Sequence, residues 1–386
     1  MTINGPTWNA DLILWVRQRA QAAGFDLAGV AAAPASDDPE GTVTAQRLTA
    51  WIDDGRAGEM DYLKRRDEHG ELLRSSARVA LPWARSVLVC AFNYNARGPL
   101  STDPAGSQQG WIARYAWNGH RDGAPIDYHD DLMHRLRKVE ADLQKKAPCQ
   151  TKCYVDTGPL LERDFAARAG IGWTGKNTCV LNQEQGSWLL LGVIVTSLTV
   201  ESAVPVLASD RCGSCTRCID ACPTGALVAP RQMDATRCIS YLTIEKKGSI
   251  AEELRDQMGR QVFGCDICQD VCPWNRRAPI ADKPDLQARQ ELINPALDWL
   301  ANLDQPAFKK SFAGSPLERT KRPRLQRNVA IAMGNSGDAH FLPRLHEWAA
   351  GADPVLAESA AWAIRKLQSS QGSQPISASI DNIPER

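Results

Sequence analysis

Two runs of cysteines constrain this chain more than any other feature of its sequence. The first run, residues 212–223, has the spacing C-x2-C-x2-C-x3-C-P. The second run, residues 265–273, has the spacing C-x2-C-x3-C-P, and Cys238 upstream offers a fourth thiol. Paired runs of this kind hold two iron–sulfur clusters in bacterial ferredoxins. The pattern therefore predicts a ferredoxin-like module that transfers electrons one at a time.

The same spacing assigns the cluster ligands. Three close cysteines wrap one cubane cluster, and the cysteine before proline turns away to ligate the other cluster. One 4Fe–4S cluster is thus predicted on Cys212, Cys215, Cys218 and Cys272. The second is predicted on Cys222, Cys238, Cys265 and Cys268. Zinc sites usually lack this spacing and disulfides need an oxidising compartment, so cluster ligation ranks above zinc and zinc above disulfides.

The other cysteines and the composition carry less information. We predict buried or incidental thiols at the scattered positions Cys90, Cys149, Cys153 and Cys179. The 386 residues have room for two or three domains, and 45 basic residues balance 45 acidic ones, so global charge indicates no nucleic-acid partner. No apolar run reaches the length of a membrane span, and residues 1–9 lack the pattern of a signal peptide. These features predict a cytoplasmic protein without a membrane segment.

Strands and helices alternate over the first two hundred residues or so, which predicts one α/β domain. Apolar periodicity predicts helices over Asp11–Gln21, Thr44–Asp53, Tyr62–Glu68, Tyr128–Lys145 and Leu160–Ala169. Runs of apolar and β-branched residues predict strands over Phe25–Ala33, Ser86–Asn93, Lys152–Val155 and Ser187–Thr196.

The C-terminal third changes to a helical pattern. Residues Leu325–Met333 align with Leu356–Ile364, and a further helix, Phe341–Trp348, lies between them. This favours HEAT-like helical repeats, although two copies also fit an ordinary helical hairpin. The predicted organisation is an α/β domain (1–205), a ferredoxin-like two-cluster module (206–280), an α-helical HEAT-like repeat domain (281–368) and a disordered tail (369–386).

Asp156 stands where a predicted strand ends and a turn begins. A partly desolvated carboxyl group at such a place can donate a proton. Asp is also a common cap for a helix N-terminus, here one beginning near Pro159, and the residues alone favour the cap. The glycine-rich stretch Gly170–Gly175 allows close backbone approach to a large flat ligand.

These segments together resemble the epoxyqueuosine reductases, cobalamin- and iron–sulfur-dependent enzymes of tRNA queuosine synthesis. The double cysteine run is shared with many redox proteins, whereas the Val-Asp-Thr-Gly-Pro and Gly-Lys-Asn elements are more specific. The resemblance spans roughly the whole chain. It is carried by the two cysteine runs and by Tyr154–Pro159, Gly170–Asn177, Gly186–Trp188 and Cys238–Glu245.

The resemblance implies reduction of epoxyqueuosine to queuosine at the wobble position of tRNA anticodons. Electrons would pass through two 4Fe–4S clusters to cobalamin, and Asp156 would be the proton donor. It also implies an external electron donor such as flavodoxin or ferredoxin, and a monomer. No cysteine lies between Cys90 and Cys149, so an essential cysteine near cobalt is not carried over to this chain. The resemblance makes residues 1–205 an α/β cobalamin-binding catalytic domain, and the implied cobalamin contacts are Arg65, Asp156, Val180, Leu191 and Ser240.

A basic segment supplies a candidate surface for tRNA. Residues 309–327 contain seven Lys and Arg residues against Glu318 alone. Lys and Arg contacts to phosphate supply most sequence-independent affinity for nucleic acids, although many charge runs are only solvated helix faces. The one-sided sign favours RNA, with predicted contacts at Lys321, Arg322 and Arg324.

Two other functions compete with this interpretation. A reductive dehalogenase-like corrinoid enzyme would be expected to carry a twin-arginine export signal, and the sequence contains none. A non-catalytic ferredoxin-type electron carrier would not need the preceding α/β segment or the basic helical segment. Detection of bound corrinoid would separate the enzymes from the carrier.

Overall fold

The structure is a computed structural model that describes residues 7–34, 39–117, 120–121, 124–200, 208–281, 283 and 287–371. The helices are α1 (Ala10–Ala22), α2 (Pro39–Asp53), α3 (Ala77–Ala80), α4 (Tyr128–Lys146), α5 (Glu162–Arg168), α6 (Arg217–Asp220), α7 (Ile239–Ile244), α8 (Glu252–Arg255), α9 (Ile267–Asp270), α10 (Leu297–Ala301), α11 (Gln305–Phe312), α12 (Lys321–Gly334), α13 (Leu342–Ala349) and α14 (Pro354–Gln371). The strands are β1 (Thr7–Trp8), β2 (Leu27–Ala32), β3 (Ser86–Asn93), β4 (Trp111–Ile112), β5 (His120–Arg121), β6 (Ala124–Pro125), β7 (Thr151–Tyr154), β8 (Trp173–Thr174), β9 (Val180–Leu181), β10 (Leu189–Thr196), β11 (Thr199–Val200), β12 (Leu227–Ala229), β13 (Gln232–Met233) and β14 (Gln261–Phe263).

A four-stranded antiparallel sheet with the order β2-β3-β10-β7 organises the N-terminal half. Every residue of β3 is buried, because helices cover both faces of the sheet. On one face, Leu88 and Ile194 pack in a core with residues of α1 and α4. On the other face, Val89 and Val193 pack with Phe165 of α5. The apolar strands predicted from the sequence therefore form the centre of this half.

One predicted helix is wrong. Residues 62–68 form no α-helix, and only a short 3₁₀ turn occurs at Asp61–Leu63. The Asp67 Oδ1 accepts hydrogen bonds from the backbone N–H groups of His69 (3.0 Å) and Glu71 (2.8 Å). A side-chain acceptor of this kind favours a turn over a helix. The other predicted helices and strands of this half are present, with ends displaced by a few residues.

The cysteine-rich segment and the C-terminal helices share one hydrophobic core. Ile239 of α7 and Phe263 of β14 pack in the same cluster as Leu325 and Val329 of α12. The core is therefore continuous across the predicted boundary at 280/281. The three domain boundaries stay predictions, and residues 372–386 of the predicted tail lie outside the described residues.

Helix α14 packs against both α12 and α13 in the C-terminal segment. A Cβ at Gly334 of α12 would lie 2.8 Å from the Cα of Ala363 in α14, so these helices approach closely at small residues. The helices predicted from the aligned segments are present, while their assignment as HEAT-like repeats stays a prediction. None of the helices in the described ranges combines the length and apolar character needed to cross a membrane.

Candidate active site and cluster-binding module

Four cysteines from the two runs line one cavity of about 230 Å³. The cavity is also lined by Asn177, from the Gly-Lys-Asn element, and by Trp274, two positions after the last cysteine. The set is the one that the spacing predicts for the first cluster. Its members are Cys212, Cys215, Cys218 and Cys272.

Local structure explains how two distant runs meet. The backbone N–H of Cys215 donates to the carbonyl of Cys212 (3.1 Å), which closes a tight turn at the start of the first run. The short helices α6 and α9, one from each run, then pack against each other. Each helix ends just before the cysteine that precedes proline, so that Cys222 and Cys272 leave their own runs as the ferredoxin pattern requires.

The second predicted set also gathers in space. Cys265 interacts electrostatically with Cys238 and Cys222, and Cys268 interacts with Cys265 and Cys238. Burial raises the pKa of the Cys265 thiol well above its ordinary value. Binding of iron to this set must therefore displace protons, as metal binding to thiols generally does.

The donor sets fit iron–sulfur clusters better than zinc. Zinc binds thiolates at about 2.3 Å, so four thiolates around one zinc ion leave no cavity between them. In the described ranges, no three His, Cys, Asp or Glu side chains are close enough to share a single metal ion. The thiols around the 230 Å³ cavity have room for a cubane cluster. The assignment of each cysteine to a cluster stays a proposal.

Cys179 is the residue that the sequence analysis missed in this module. It lies in hydrogen-bonding contact with Cys268, and this contact, together with Arg163, lowers the pKa of its thiol to about 7 against the effect of burial. The sequence analysis predicted only a buried or incidental thiol here. Its neighbour in space is ninety positions away in sequence, so spacing alone could not show the contact. Cys90 and Cys153 are buried as predicted, and Cys149 is half-buried.

Asp156 follows strand β7 in a left-handed backbone conformation, with φ of 54°. The hydroxyl of Tyr128 donates a hydrogen bond to its Oδ2. The His129 Nε2 lies 3.4 Å from the same oxygen. Both partners begin helix α4, whose N-cap Asp127 accepts from the backbone N–H of His129 (3.0 Å). The capping of α4 thus fixes the two side chains that contact Asp156.

The alternative in which Asp156 caps a helix is wrong. The next helix, α5, begins at Glu162 with Leu161 as its N-cap, and no side chain caps it by a hydrogen bond. Pro159 and Leu160 precede the helix, because the chain makes further turns after the strand. Asp156 is therefore held by Tyr128 and His129, and its carboxylate is free to act in a site.

Asp156 lies in an open recess. Surrounding protein atoms partly desolvate its carboxyl group, which acts to raise the pKa, yet the side chain is 51% exposed to solvent. Both facts hold together if the group lines a concave surface open to water. Tyr62, which is 47% exposed, interacts electrostatically with Asp156 and with Glu245 at the end of α7. The recess therefore lies beside the helix that starts at Cys238, a predicted ligand of the second cluster.

Charged neighbours set the protonation of the recess. Burial raises the pKa of Asp156, but hydrogen bonds from His129 and Tyr128 outweigh it and the net pKa is lowered. Burial lowers the pKa of His129, but Asp127 and Asp156 raise it to about 9. Burial and the Asp156 charge raise the pKa of Glu162 to about 8. At neutral pH, Asp156 is therefore ionised, while His129 and Glu162 carry protons.

Sequence reasoning did not identify the neighbours of Asp156. Glu162 is buried, and its Oε1 has no hydrogen-bond partner among the described residues. The Arg319 Nη2 donates to Asp127 Oδ1 at 2.6 Å and also contacts His129. Arg319 belongs to the basic segment in sequence, but its guanidinium group closes this network. Only the Asp-Tyr-His triplet at the start of a helix could have signalled it.

The residues proposed to contact cobalamin are partly brought together. In the β7–β10 pairing, Val193 pairs with Tyr154, which is the last residue of β7, and the chain bends before it reaches Asp156. Val180 and Leu191 belong to the same apolar cluster as Tyr154. Ser240 is half-buried in α7. Arg65 is exposed and lies three positions after Tyr62.

The three residues proposed to contact tRNA differ in their availability. Lys321 is exposed, whereas Arg322 is half-buried and its Nε donates to the carbonyl of Leu303 (2.7 Å). Arg324 is committed to the protein through hydrogen bonds to the carbonyls of Thr320 (2.8 Å) and Ile244 (2.6 Å). The charge run is thus partly internal. Among the described residues, its exposed cations without a side-chain partner are Lys309, Lys310 and Lys321, whereas Arg319 is exposed but pairs with Asp127.

Family models match two parts of the chain. Residues 211–275 match the model of a 4Fe-4S double cluster binding domain. Residues 74–157, which include Asp127, Tyr128, His129 and Asp156, match the model described as epoxyqueuosine reductase QueG, DUF1730. The two models thus cover the two parts of the molecule in which the candidate sites lie.

Curated relatives and solved structures match nearly the whole chain. The epoxyqueuosine reductase of Xanthomonas campestris pv. campestris is 35% identical over 353 residues, covering 90% of this chain and 94% of the relative. That of Synechocystis sp. is 40% identical, covering 77% of this chain and 97% of the relative. A crystal structure of epoxyqueuosine reductase with an epoxyqueuosine-modified tRNA-Tyr stem loop matches with a TM-score of 0.79 at 32% identity, covering 95% of each chain. A Bacillus subtilis epoxyqueuosine reductase structure matches with a TM-score of 0.77 at 31% identity and the same coverage. The chain belongs to the epoxyqueuosine reductase family.

Proposed function

We propose that this protein reduces epoxyqueuosine in the anticodon of tRNA to queuosine. Removal of the epoxide oxygen as water consumes two electrons and two protons and leaves a carbon–carbon double bond. The observation that carries the proposal is the exposed Asp156 carboxylate, held by Tyr128 and His129 beside the helix that starts at Cys238. A relative in the same family has been solved with an epoxyqueuosine-modified stem loop, which supports this substrate.

The protonation states of the groups in the recess support a role for Asp156 as the proton donor. Asp156 rests as a carboxylate, so it must receive a proton before it can give one. His129 carries a proton at neutral pH, and its Nε2 lies 3.4 Å from Asp156 Oδ2. We propose that His129 supplies the proton and that Asp156 delivers it to the departing oxygen. Tyr128 orients the carboxylate through its hydrogen bond.

Cobalamin is the proposed cofactor of the recess. The residues present fit it: the recess is open, it holds the exposed ring of Tyr62, and the apolar cluster that contains Val180 and Leu191 also includes Tyr154, two positions before Asp156. When bound, cobalamin supplies a strongly reducing cobalt centre. Arg65, Asp156, Val180, Leu191 and Ser240 stay the proposed contacts, and their part is to hold the cofactor and exclude water.

The cysteine runs provide the proposed route for electrons. The 4Fe–4S clusters supply single electrons when bound. Cys222 of the first run belongs to the second proposed site, and Cys272 of the second run belongs to the first, so the two sites are adjacent. The second site lies nearer the Asp156 recess, since α7 joins Cys238 to Glu245. Electrons are therefore proposed to enter at the site of Cys212, Cys215, Cys218 and Cys272 and to leave from the other.

The exposed cations of the basic segment are the proposed contacts for the anticodon arm. Arg319, from the same segment, reaches the Asp156 network, so the segment lies beside the recess. A tRNA held by Lys321 and Arg322 would place its anticodon loop near Asp156. Unstacked loop bases are accessible to a pocket in this way.

Conversion of modified tRNA tests the proposed function. Anaerobically reconstituted protein is incubated with epoxyqueuosine-containing tRNA, cobalamin and a reductant, and the nucleosides are analysed by mass spectrometry. Queuosine is the expected product. Persistence of epoxyqueuosine with both clusters and corrinoid loaded would overturn the proposal.

A further inference from the structure

The cavity that gathers the first four thiols has a basic lining. Its charged side chains, apart from the thiols, are Lys176, Arg211 and Arg217, and none of the described Asp or Glu residues lines it. Lys176 donates from Nζ to the carbonyl of Gly213 (2.6 Å), which fixes the turn between the first two cysteines. The mouth of this cavity therefore presents positive charge close to the place where electrons are proposed to enter.

Four arginines of this module have no partner among the described residues. Arg211 and Arg217 flank cysteines of the first run, and Arg276 and Arg277 directly follow the 3₁₀ turn Pro273–Asn275 that contributes to the cavity. All four are exposed, and within the described residues none makes a side-chain hydrogen bond or an ion pair. We call Arg211, Arg217, Arg276 and Arg277 the arginine rim.

The arginine rim contrasts with the basic segment near the recess. There, Arg319 contacts Asp127 and His129, and Arg324 donates to backbone carbonyls. Another arginine of the cluster module, Arg231, pairs with Asp210. Unpaired guanidinium groups on a surface retain their full capacity for bidentate contacts to carboxylates or phosphates. The rim is thus a place in this module where positive charge is left for a second molecule.

The position of the rim distinguishes two kinds of partner. Arg211 and Arg217 line the cavity of Cys212, Cys215, Cys218 and Cys272, and Arg276 and Arg277 follow Cys272 closely in sequence. The Asp156 recess instead lies beside α7, whose N-cap is Cys238 of the other site. An anticodon loop that reaches Asp156 therefore approaches on the side of the second site. A redox protein must instead approach the site where electrons enter.

We propose that the arginine rim docks an acidic one-electron carrier protein that reduces the cluster held by Cys212, Cys215, Cys218 and Cys272. Carboxylates on the carrier would pair with the four guanidinium groups. The transfer is balanced: the carrier loses one electron and the cluster gains it, with no bond made or broken. This inference rests on the proposed function for the route of electrons, and it adds the docking surface and the chemistry of the donor.

The test measures reduction of the clusters by a reduced bacterial flavodoxin of net negative charge. Stopped-flow absorbance follows bleaching of the clusters in the holoprotein, without tRNA. The variant Arg211→Glu/Arg217→Glu should lower the second-order rate constant by roughly 10–100-fold at low salt, because charge complementarity raises association rates by 10–10³. Its dependence on salt should flatten, since attraction is screened beyond about 10 Å at 0.1 M.

Controls separate docking from damage to the cluster. Iron content and photoreduction by neutral deazaflavin should equal those of the unmodified protein. A second variant, Arg276→Glu/Arg277→Glu, changes charges further from the ligands and should also slow reduction by flavodoxin. The matched control Lys309→Glu/Lys310→Glu changes the charge equally on the basic segment and should leave this rate unaltered.

The outcomes decide the inference independently of the proposed function. Bleaching by flavodoxin requires neither epoxyqueuosine nor cobalamin, so a failure to convert tRNA would not affect this measurement. Unchanged rates in both rim variants, with iron content retained, would overturn the inference. Loss of tRNA binding in the rim variants, with unchanged reduction by flavodoxin, would overturn it in favour of an RNA surface.

Discussion

Asp156→Asn is the substitution that probes the proposed chemistry most sharply. It removes the carboxylate to which Tyr128 donates and which His129 approaches, while it keeps the size of the side chain. Loss of a general acid lowers turnover by roughly 10²–10⁴-fold. This corresponds to an increase of about 2.7–5.4 kcal/mol in the activation free energy, at 1.36 kcal/mol per tenfold change.

The structure also gives the direction of the accompanying pKa changes. Asp156 helps to raise the pKa of His129 to about 9, and its charge helps to raise the pKa of Glu162 to about 8. Removing the charge should therefore lower both pKa values toward their ordinary range. Residual activity in Asp156→Asn should then decline at a lower pH than in the unmodified protein, because His129 loses its proton earlier.

Single-turnover conversion of epoxyqueuosine-containing tRNA, measured from about pH 6 to pH 10, is the assay. The matched control is Asp164→Asn, which alters a carboxylate of α5 that pairs with Arg168 (2.7 Å). Both variants should retain iron and corrinoid, and the control should retain turnover. If Asp156→Asn turned over within a few-fold of the unmodified protein, Asp156 would not be the proton donor.

Three further predictions follow from the same geometry. Cys215→Ala should abolish the electron paramagnetic resonance signal of one cluster and keep the other, and retention of both signals would contradict the ligand assignment. The raised pKa of His129 stabilises the fold fully below about pH 6.5, the ordinary pKa of histidine, and this contribution should be lost as pH rises through about 9. Denaturant titrations at pH 6 and pH 10 measure the corresponding difference in the free energy of unfolding. The same difference in a His129→Gln variant would refute the prediction. Replacing Lys309, Lys310 and Lys321 by Ala should reduce the salt slope of tRNA binding by about one unit per lost phosphate contact, and an unchanged slope would place the tRNA elsewhere.

The cluster module was predictable from the sequence to an unusual degree, because ligand spacing is a local property. The two predicted sets of thiols are the sets that come together in space. Strand Ser86–Asn93 was predicted to the residue, since a continuous apolar run that is buried on both faces leaves few alternatives. Cys179 was missed, because its contact with Cys268 depends on tertiary structure.

The recess shows where sequence reasoning fails. The residues alone favoured Asp156 as a helix cap, but the chain turns again before α5 begins at Glu162. Tyr128 of α4 meets Asp156, and Arg319 of the basic segment meets Tyr128, only through the packing of distant segments. In the sequence, every cation of the basic segment looks available to bind RNA. In the structure, Arg324 donates a hydrogen bond to a backbone carbonyl, and a pattern of charges does not reveal such a contact.

The dependence of epoxide reduction on corrinoid tests the central claim most directly. Protein with both clusters loaded is prepared with and without cobalamin and given epoxyqueuosine-containing tRNA and reduced flavodoxin. We expect queuosine to form only in the presence of cobalamin. We also expect the Asp156→Asn variant to bind cobalamin but to form no queuosine. Equal conversion in the absence of cobalamin would contradict the account.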